Sequence, residues 1–240
     1  VAASFRPGAF PSASHRSAAL TRLQPQRLLR WEPAGFQDVW PTLEAIEGWR
    51  YRQDLVVLYL LARELPASGL TLEIGSYKGL GTAALAFGAR DGGHDTVHTV
   101  DPHTGDRQAL EAAGAELPSS EADLRRNLSV AGVADAVVAH TARSDELAAR
   151  WDGAPLRLLF VDGWHSYDAV ASDLRNWAPL VSPGGAVLVD DYDNYPGVAQ
   201  ATDDARDLLP PQCVRAGRMR LFHERPLPPN VRRYLRIPWG

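Results

Sequence analysis

The chain has 240 residues and a formal charge of −4, with 45% hydrophobic and 22% charged residues. That length can bury one large core, and the acidic balance argues against nucleic acid or an anionic membrane as the main partner. The single cysteine, Cys213, excludes intrachain disulfides and thiolate zinc clusters, and no apolar run approaches the roughly 20 residues of a membrane span.

Residues 1–35 read as an N-terminal arm: residues 1–30 are rich in Ala, Ser, Pro and Arg and poor in acid, a transit-peptide-like composition, but lack the apolar core of a signal sequence. A flexible arm is therefore the better reading, and the cytoplasm is the expected location. Residues 36–224 read as one domain. Helical periodicity covers 36–65 in two pieces split at Gly48, and 70–74 is a first buried strand, followed by a helix over 79–89. A second strand spans 94–100 and ends at Asp101; a polar insert (103–119) containing His103, Asp106 and Arg107 leads to a helix over 120–131. A third strand is expected over 134–140 and a short helix over 145–150. The apolar run 158–161 stops at Asp162, and the run 186–189 stops at Asp190-Asp191. Between them Val170, Leu174, Trp177 and Leu180 keep helical spacing until Ser182-Pro183-Gly184-Gly185. A helix over 197–208 and a hairpin turned at Gly217-Arg218 close the domain, and 225–240 read as an extended surface tail. Alternating strands and helices predict a doubly wound, Rossmann-like α/β fold. Its seven-stranded sheet would be mostly parallel, with a C-terminal antiparallel hairpin and helices on both faces.

In such a sheet ligands bind where the strands end. The first strand–helix turn runs Glu73-Ile74-Gly75-Ser76-Tyr77-Lys78-Gly79-Leu80-Gly81. A dinucleotide fingerprint would want glycine where Tyr77 and Leu80 stand, so a pyrophosphate finds no bare backbone here. Gly75, Ser76 and Gly79 instead suit a ligand with no phosphate in the loop. Asp101 is placed to accept from two ribose hydroxyls, Glu73 to hold an ammonium, and Ser144 to lie near an adenine. A ribose without pyrophosphate points to S-adenosyl-L-methionine. Asp162, Asp190 and Asp191 at one edge repel unless a cation joins them, which suggests a divalent metal, most simply Mg²⁺. Singly, each residue has a plainer structural role: Asp162 or Ser144 as a helix cap, Asp190-Asp191 as a solvated turn.

The motifs LEIGSYKGLGT, TVDPHTGD, LLFVDGWHSYDAVASDL and PGGAVLVDDYDN, in this order over roughly residues 44–224, resemble class I S-adenosylmethionine-dependent methyltransferases. Within that class they resemble the metal-dependent O-methyltransferases of bacterial natural-product pathways, acting on macrolide sugars or in cephamycin biosynthesis. The resemblance implies a metal at Asp162, Asp190 and Asp191 and a catalytic base at His165, beside Asp162. It also implies a sugar or glycoside hydroxyl as methyl acceptor, in antibiotic biosynthesis. Trp164 departs from the acidic or small residue usual there, which sets the acceptor pocket apart; Tyr167 and Tyr192 would line it too. A catechol-type enzyme acting on an aromatic diol would chelate its acceptor in the same way. A non-catalytic S-adenosylmethionine-binding assembly subunit is the reading outside enzymes, and the retained acids with His165 speak against it. Phe5, Phe10, Trp31, Tyr234, Ile237 and Trp239 are many large apolar groups for two arms, so a homo-oligomer with arms packed on partner subunits is expected.

Overall fold

The computed structural model describes residues 32–33, 35–94, 96–104 and 119–236. Its sheet contains β1 (Leu70–Ile74), β2 (Val97–Val100), β3 (Val137–His140), β4 (Leu156–Val161), β5 (Val181–Val189), β6 (Gln212–Ala216) and β7 (Met219–His223). The strand order is β3-β2-β1-β4-β5-β7-β6. Strands β1 to β5 pair in parallel, and β7 runs antiparallel to both β5 and β6. The register aligns the strand ends. Ile74 pairs with both Val100 and Val161, and Val161 pairs with Val189. The next residues, Gly75, Asp101, Asp162 and Asp190, therefore leave the sheet at one level. Four strand ends share one edge.

Side chains alternate across the sheet, so β4 feeds two cores. Leu158 and Phe160 pack with α1 (Phe36–Glu44), α2 (Arg52–Glu64) and α3 (Leu80–Gly92), where Phe36, Leu58 and Leu85 are buried. Leu159 and Val161 pack with α6 (Tyr167–Trp177) and α7 (Pro196–Asp204) through Leu174, Trp177 and Val198. Two further helices, α4 (Glu121–Ala131) and the short α5 (Ser144–Ala148), follow β2 and β3 in the usual alternation. Strand β4 is buried at every position, as a central strand covered on both faces must be.

Several boundaries differ from those the sequence suggests. Strand β2 starts at Val97 because the His94 amide donates to Ala89 O (2.9 Å) and closes the end of α3 behind left-handed Gly93. Residues 134–136 form a 3₁₀ turn, so β3 begins at Val137. Strand β5 already starts at Val181 and runs through the Ser182–Gly185 stretch expected to be a turn. The larger correction concerns the tail. Residues 229–235 are a helix, α8 (Pro229–Leu235), not extended chain, and Leu227, Val231 and Tyr234 are buried. Pro229 sits in the first turn, where its missing N–H costs nothing, and Asn230 donates to Glu64 on α2 (2.8 Å). The arm residues Phe5, Phe10 and Trp31, the insert residues Asp106 and Arg107, and Ile237 and Trp239 lie outside the described residues. No helix among the described residues is long and apolar enough to cross a membrane.

Candidate active site

The turn after β1 is pressed against the end of β4. Gly75 has φ +92°, and a Cβ there would stand 2.2 Å from Asp162 O, so only glycine fits. Ser76 is buried and its Oγ has no partner among the described residues. Gly79, also left-handed, leads into α3 against Leu124. Asp101 is held from both sides: its carboxylate accepts the amides of Tyr77 (2.8 Å) and His103 (2.7 Å). Both donors have left-handed backbones, at φ +47° and +54°, and the His103 ring is tied to Ser120 at 2.9 Å. A carboxylate fixed this way, still partly exposed, keeps lone pairs for further donors. Glu73 lies behind the loop, accepting from Thr82 and Thr99; burial outweighs these bonds and raises its carboxyl to about 7. Ser144 is the first residue of α5 and donates its hydroxyl to Asp173 on α6. Burial raises that carboxyl to about 7, against the pull of Ser144.

At the ends of β4 and β5 the expected triad divides. Asp162, His165 and Asp191 offer three ligand atoms within 4.8 Å of one another. His165 Nε2 lies 3.2 Å from Asp191 Oδ2, and its ring stacks on Tyr195 with centroids 4.1 Å apart. Asp191 has a left-handed backbone (φ +57°) and also accepts from Asn194 at 2.6 Å. Burial pulls its carboxyl up, but the bonds from His165 and Asn194 prevail and hold it down at about 2. Asp190, expected as a third acidic ligand, lies outside those three ligand atoms but beside Asp162, whose carboxyl it helps to raise. Its Oδ2 meets Arg50 Nη1 (3.2 Å) and Arg218 Nη2 (3.8 Å), and its Oδ1 is buried without a partner among the described residues. The reason is the strand period: neighbouring residues face opposite sides, so Asp190 follows Leu188 toward Phe160 and Arg50 while Asp191 bends back to His165.

Three charged residues here carry no signal in the sequence. Arg50, from the loop between α1 and α2, bridges Asp162 and Asp190 with its guanidinium over the Phe160 ring at 4.6 Å. Arg218, at the β6–β7 turn, reaches Asp54 (3.4 Å), Asp190 and Asp191 (3.7 Å). Asp54 is buried on α2, which raises its carboxyl. Four aspartates thus face two arginines, and burial raises Asp162 well above its ordinary range despite Arg50. The edge is short of positive charge, and a divalent cation on the carboxylates of Asp162 and Asp191, beside His165, suits both that deficit and the oxygen donors. Other expected residues are accounted for outside this group. Tyr167 and Tyr192 bond to Asp204 and Asp203 on α7, Lys78 bonds to Glu47 and Asp123, and Asp193 pairs with Arg215 and Arg220. Trp164 is half-buried beside Asp162.

A parallel sheet closed by an antiparallel β7, a phosphate-free loop after β1 and an acid after β2 define the class I, Rossmann-like methyltransferase fold. The model of the family described as "Methyltransferase domain" matches residues 72–192, and the chain belongs to that family. It is an enzyme, a methyltransferase using S-adenosylmethionine. Among solved structures it is similar to the O-methyltransferase NovP, at 20% identity over 89% of this chain and 99% of that one, with TM-score 0.63. It is also similar to CalS11, the calicheamicin methyltransferase (16% identity, 93% and 99% covered, TM-score 0.55). A third is the O-methyltransferase TomG of Streptomyces achromogenes, involved in tomaymycin synthesis and solved in complex with SAM (20%, 88% and 95%, TM-score 0.52). At these identities the likeness establishes the fold.

Proposed function

We propose that the protein is a cation-assisted O-methyltransferase that methylates a hydroxyl of a sugar or glycosylated natural product in secondary metabolism. The observation that carries this is the group formed by Asp162, His165 and Asp191 beside a ribose-type carboxylate, Asp101, on one sheet edge. The acceptor class is supported by the neighbours: CalS11 is described as a TDP-rhamnose 3'-O-methyltransferase in calicheamicin biosynthesis, and TomG serves tomaymycin synthesis.

The donor's ribose hydroxyls would sit on Asp101, Ser76 would gain a partner for its buried Oγ, and Gly75 and Gly79 leave the loop close to the ligand. Asp162 and Asp191, with His165 alongside, would hold a hard cation such as Mg²⁺. Such a cation, when bound, supplies Lewis acidity and orients a neighbouring hydroxyl. His165 is the base. Asp191 fixes its tautomer by accepting from Nε2, which leaves Nδ1 to take the hydroxyl proton as the oxygen attacks the sulfonium methyl. The stack on Tyr195 keeps the ring in plane for that transfer. Positioning carries much of the barrier reduction, because the sulfonium and the acceptor oxygen lose opposite charges together.

The test is mass spectrometry of candidate glycosides and catechols incubated with enzyme, S-adenosylmethionine and Mg²⁺. A methyl ether on a glycoside is the expected product. Turnover confined to the catechols would move the acceptor to aromatic diols.

A further inference from the structure

Arg50 places a fixed positive charge on an acid that the cation also needs. It comes from the loop between α1 and α2, and its side chain is only 7% exposed. The guanidinium is wedged between the Phe160 ring, 4.6 Å away, and the bare backbone of Gly81, where an added Cβ would lie 3.3 Å from Nε. From that place Nη2 pairs with Asp162 Oδ2, and Nη1 pairs with Asp190 Oδ2 at 3.2 Å. Burial works against its charge, yet Asp162, Asp190, Asp54 and Glu73 together raise its pKa, so it stays a cation. Arg218 plays a looser part. Its side chain is 28% exposed, and it comes no nearer to Asp190 and Asp191 than 3.8 and 3.7 Å.

Asp162 therefore serves two positive charges. One of its oxygens is held by Arg50, and the same carboxylate offers a ligand atom within 4.8 Å of His165 and Asp191. Two cations on one carboxylate repel each other, and in a buried place little water screens them. Asp190 stands beside Asp162 with spare capacity, since its Oδ1 is buried without a partner among the described residues. Its other oxygen is the one tied to the guanidinium. The four aspartates of this edge outnumber its two arginines by two, so Arg50 lowers the acidity of the edge without cancelling it.

We propose that Arg50 is an internal counter-ion that competes with the divalent cation for Asp162 and keeps Asp190 out of the ligand set, and so sets how tightly the edge holds that cation. This rests on the cation reading proposed above. In the absence of a cation the same guanidinium keeps neighbouring buried carboxylates from being left unpaired, so the edge stays assembled while the cation exchanges.

The experiment is calorimetry of Mg²⁺ binding to the full chain, with melting curves at rising Mg²⁺. Arg50→Gln should bind Mg²⁺ at least about tenfold tighter, because a unit charge a few ångströms away is gone and Asp190 is released. Its Tm should rise more with Mg²⁺ than that of the unaltered protein. Asp190→Asn added to Arg50→Gln should remove most of the gain. Arg218→Gln should gain less, because solvent already screens that side chain. Arg50→Lys keeps the charge but cannot fork to both carboxylates; it should tighten binding by a smaller factor, and it decides the matter if Arg50→Gln does not fold. Binding seen in Arg50→Gln and too weak to detect in the unaltered protein would be the same result at its limit. Equal or weaker binding in the Arg50 variants, or an equal gain in Arg218→Gln, would overturn the role of Arg50 while leaving the cation site in place. No Mg²⁺ binding by any of these proteins would overturn the cation reading itself, and this assignment with it.

Discussion

His165 Nε2 meets Asp191 Oδ2 at 3.2 Å, and the same imidazole lies flat on the Tyr195 ring at 4.1 Å. The histidine is oriented by one neighbour and packed on another, which in the proposed mechanism leaves its second nitrogen for the acceptor. His165→Ala is therefore expected to lower kcat by about 10²–10⁴ while S-adenosylmethionine affinity and Tm stay nearly unchanged. A purely structural histidine would give the reverse: lost stability, and normal turnover per folded molecule.

The division of the aspartates makes a contrast that can be measured. Asp191→Asn should weaken Mg²⁺ binding and make turnover depend on much higher metal concentration, because a hard cation loses a charged ligand. Asp190→Asn should act mainly on stability, since it leaves Arg50 and Arg218 with less counter-charge in a buried place. Mg²⁺ titrations of turnover and melting curves on both variants separate the two. Full activity after exhaustive dialysis against EDTA would remove the cation from the mechanism.

Asp101 is gripped by the amides of Tyr77 and His103, so its removal should cost the ribose two charged-acceptor contacts and loosen the loop. Asp101→Ala is expected to reduce S-adenosylmethionine affinity by about 1.5–3 kcal/mol in calorimetry. Unchanged affinity would mean that the ribose lies elsewhere.

Asp173 gives a pH dependence of definite sign. Burial raises its carboxyl from 3.8 to about 7 in the folded chain. Between those values the folded state keeps a proton that the unfolded chain has released, so stability falls as pH rises across the window. The slope is roughly 1.4 kcal/mol per pH unit for one such group. Glu73, raised from 4.5 to about 7, adds to it with the same sign. Asp173→Asn keeps an acceptor for Ser144 and should flatten the fall; Tm measured at pH 5 and pH 8 for both proteins checks it.

Helix α8 is part of the core. Tyr234→Ala should destabilise the fold by about 3–5 kcal/mol, the usual cost of emptying a buried aromatic site, read from chemical denaturation.

How much of the molecule is legible in its sequence depends on the range of the interaction. The apolar runs of β4 and β5, each ending in aspartate, announce two buried strands and the edge they share. The glycine spacing after β1 excludes a dinucleotide. Helix α8 is hidden because its prolines flank a short stretch whose apolar spacing, Val231 to Tyr234, is a single turn, and its burial depends on α2. Arg50 and Arg218 are hidden for a similar reason: their partners are more than a hundred residues away for Asp162 and Asp54, and nothing local sets them apart from the other arginines. The split between Asp190 and Asp191 is within reach, since strand alternation forbids neighbours from facing one way, but the left-handed turn at Asp191 that completes it is not.

The contact of Gly75 with the carbonyl of Asp162 has a consequence for how such an enzyme can change its acceptor. The donor turn and the first residue of the cation edge touch through main-chain atoms, with no side chain between them to be exchanged. In the proposed mechanism the spacing from methyl group to attacking oxygen is therefore built into the scaffold. In that mechanism acceptor preference can be rewritten around Trp164 without disturbing the alignment on which transfer depends.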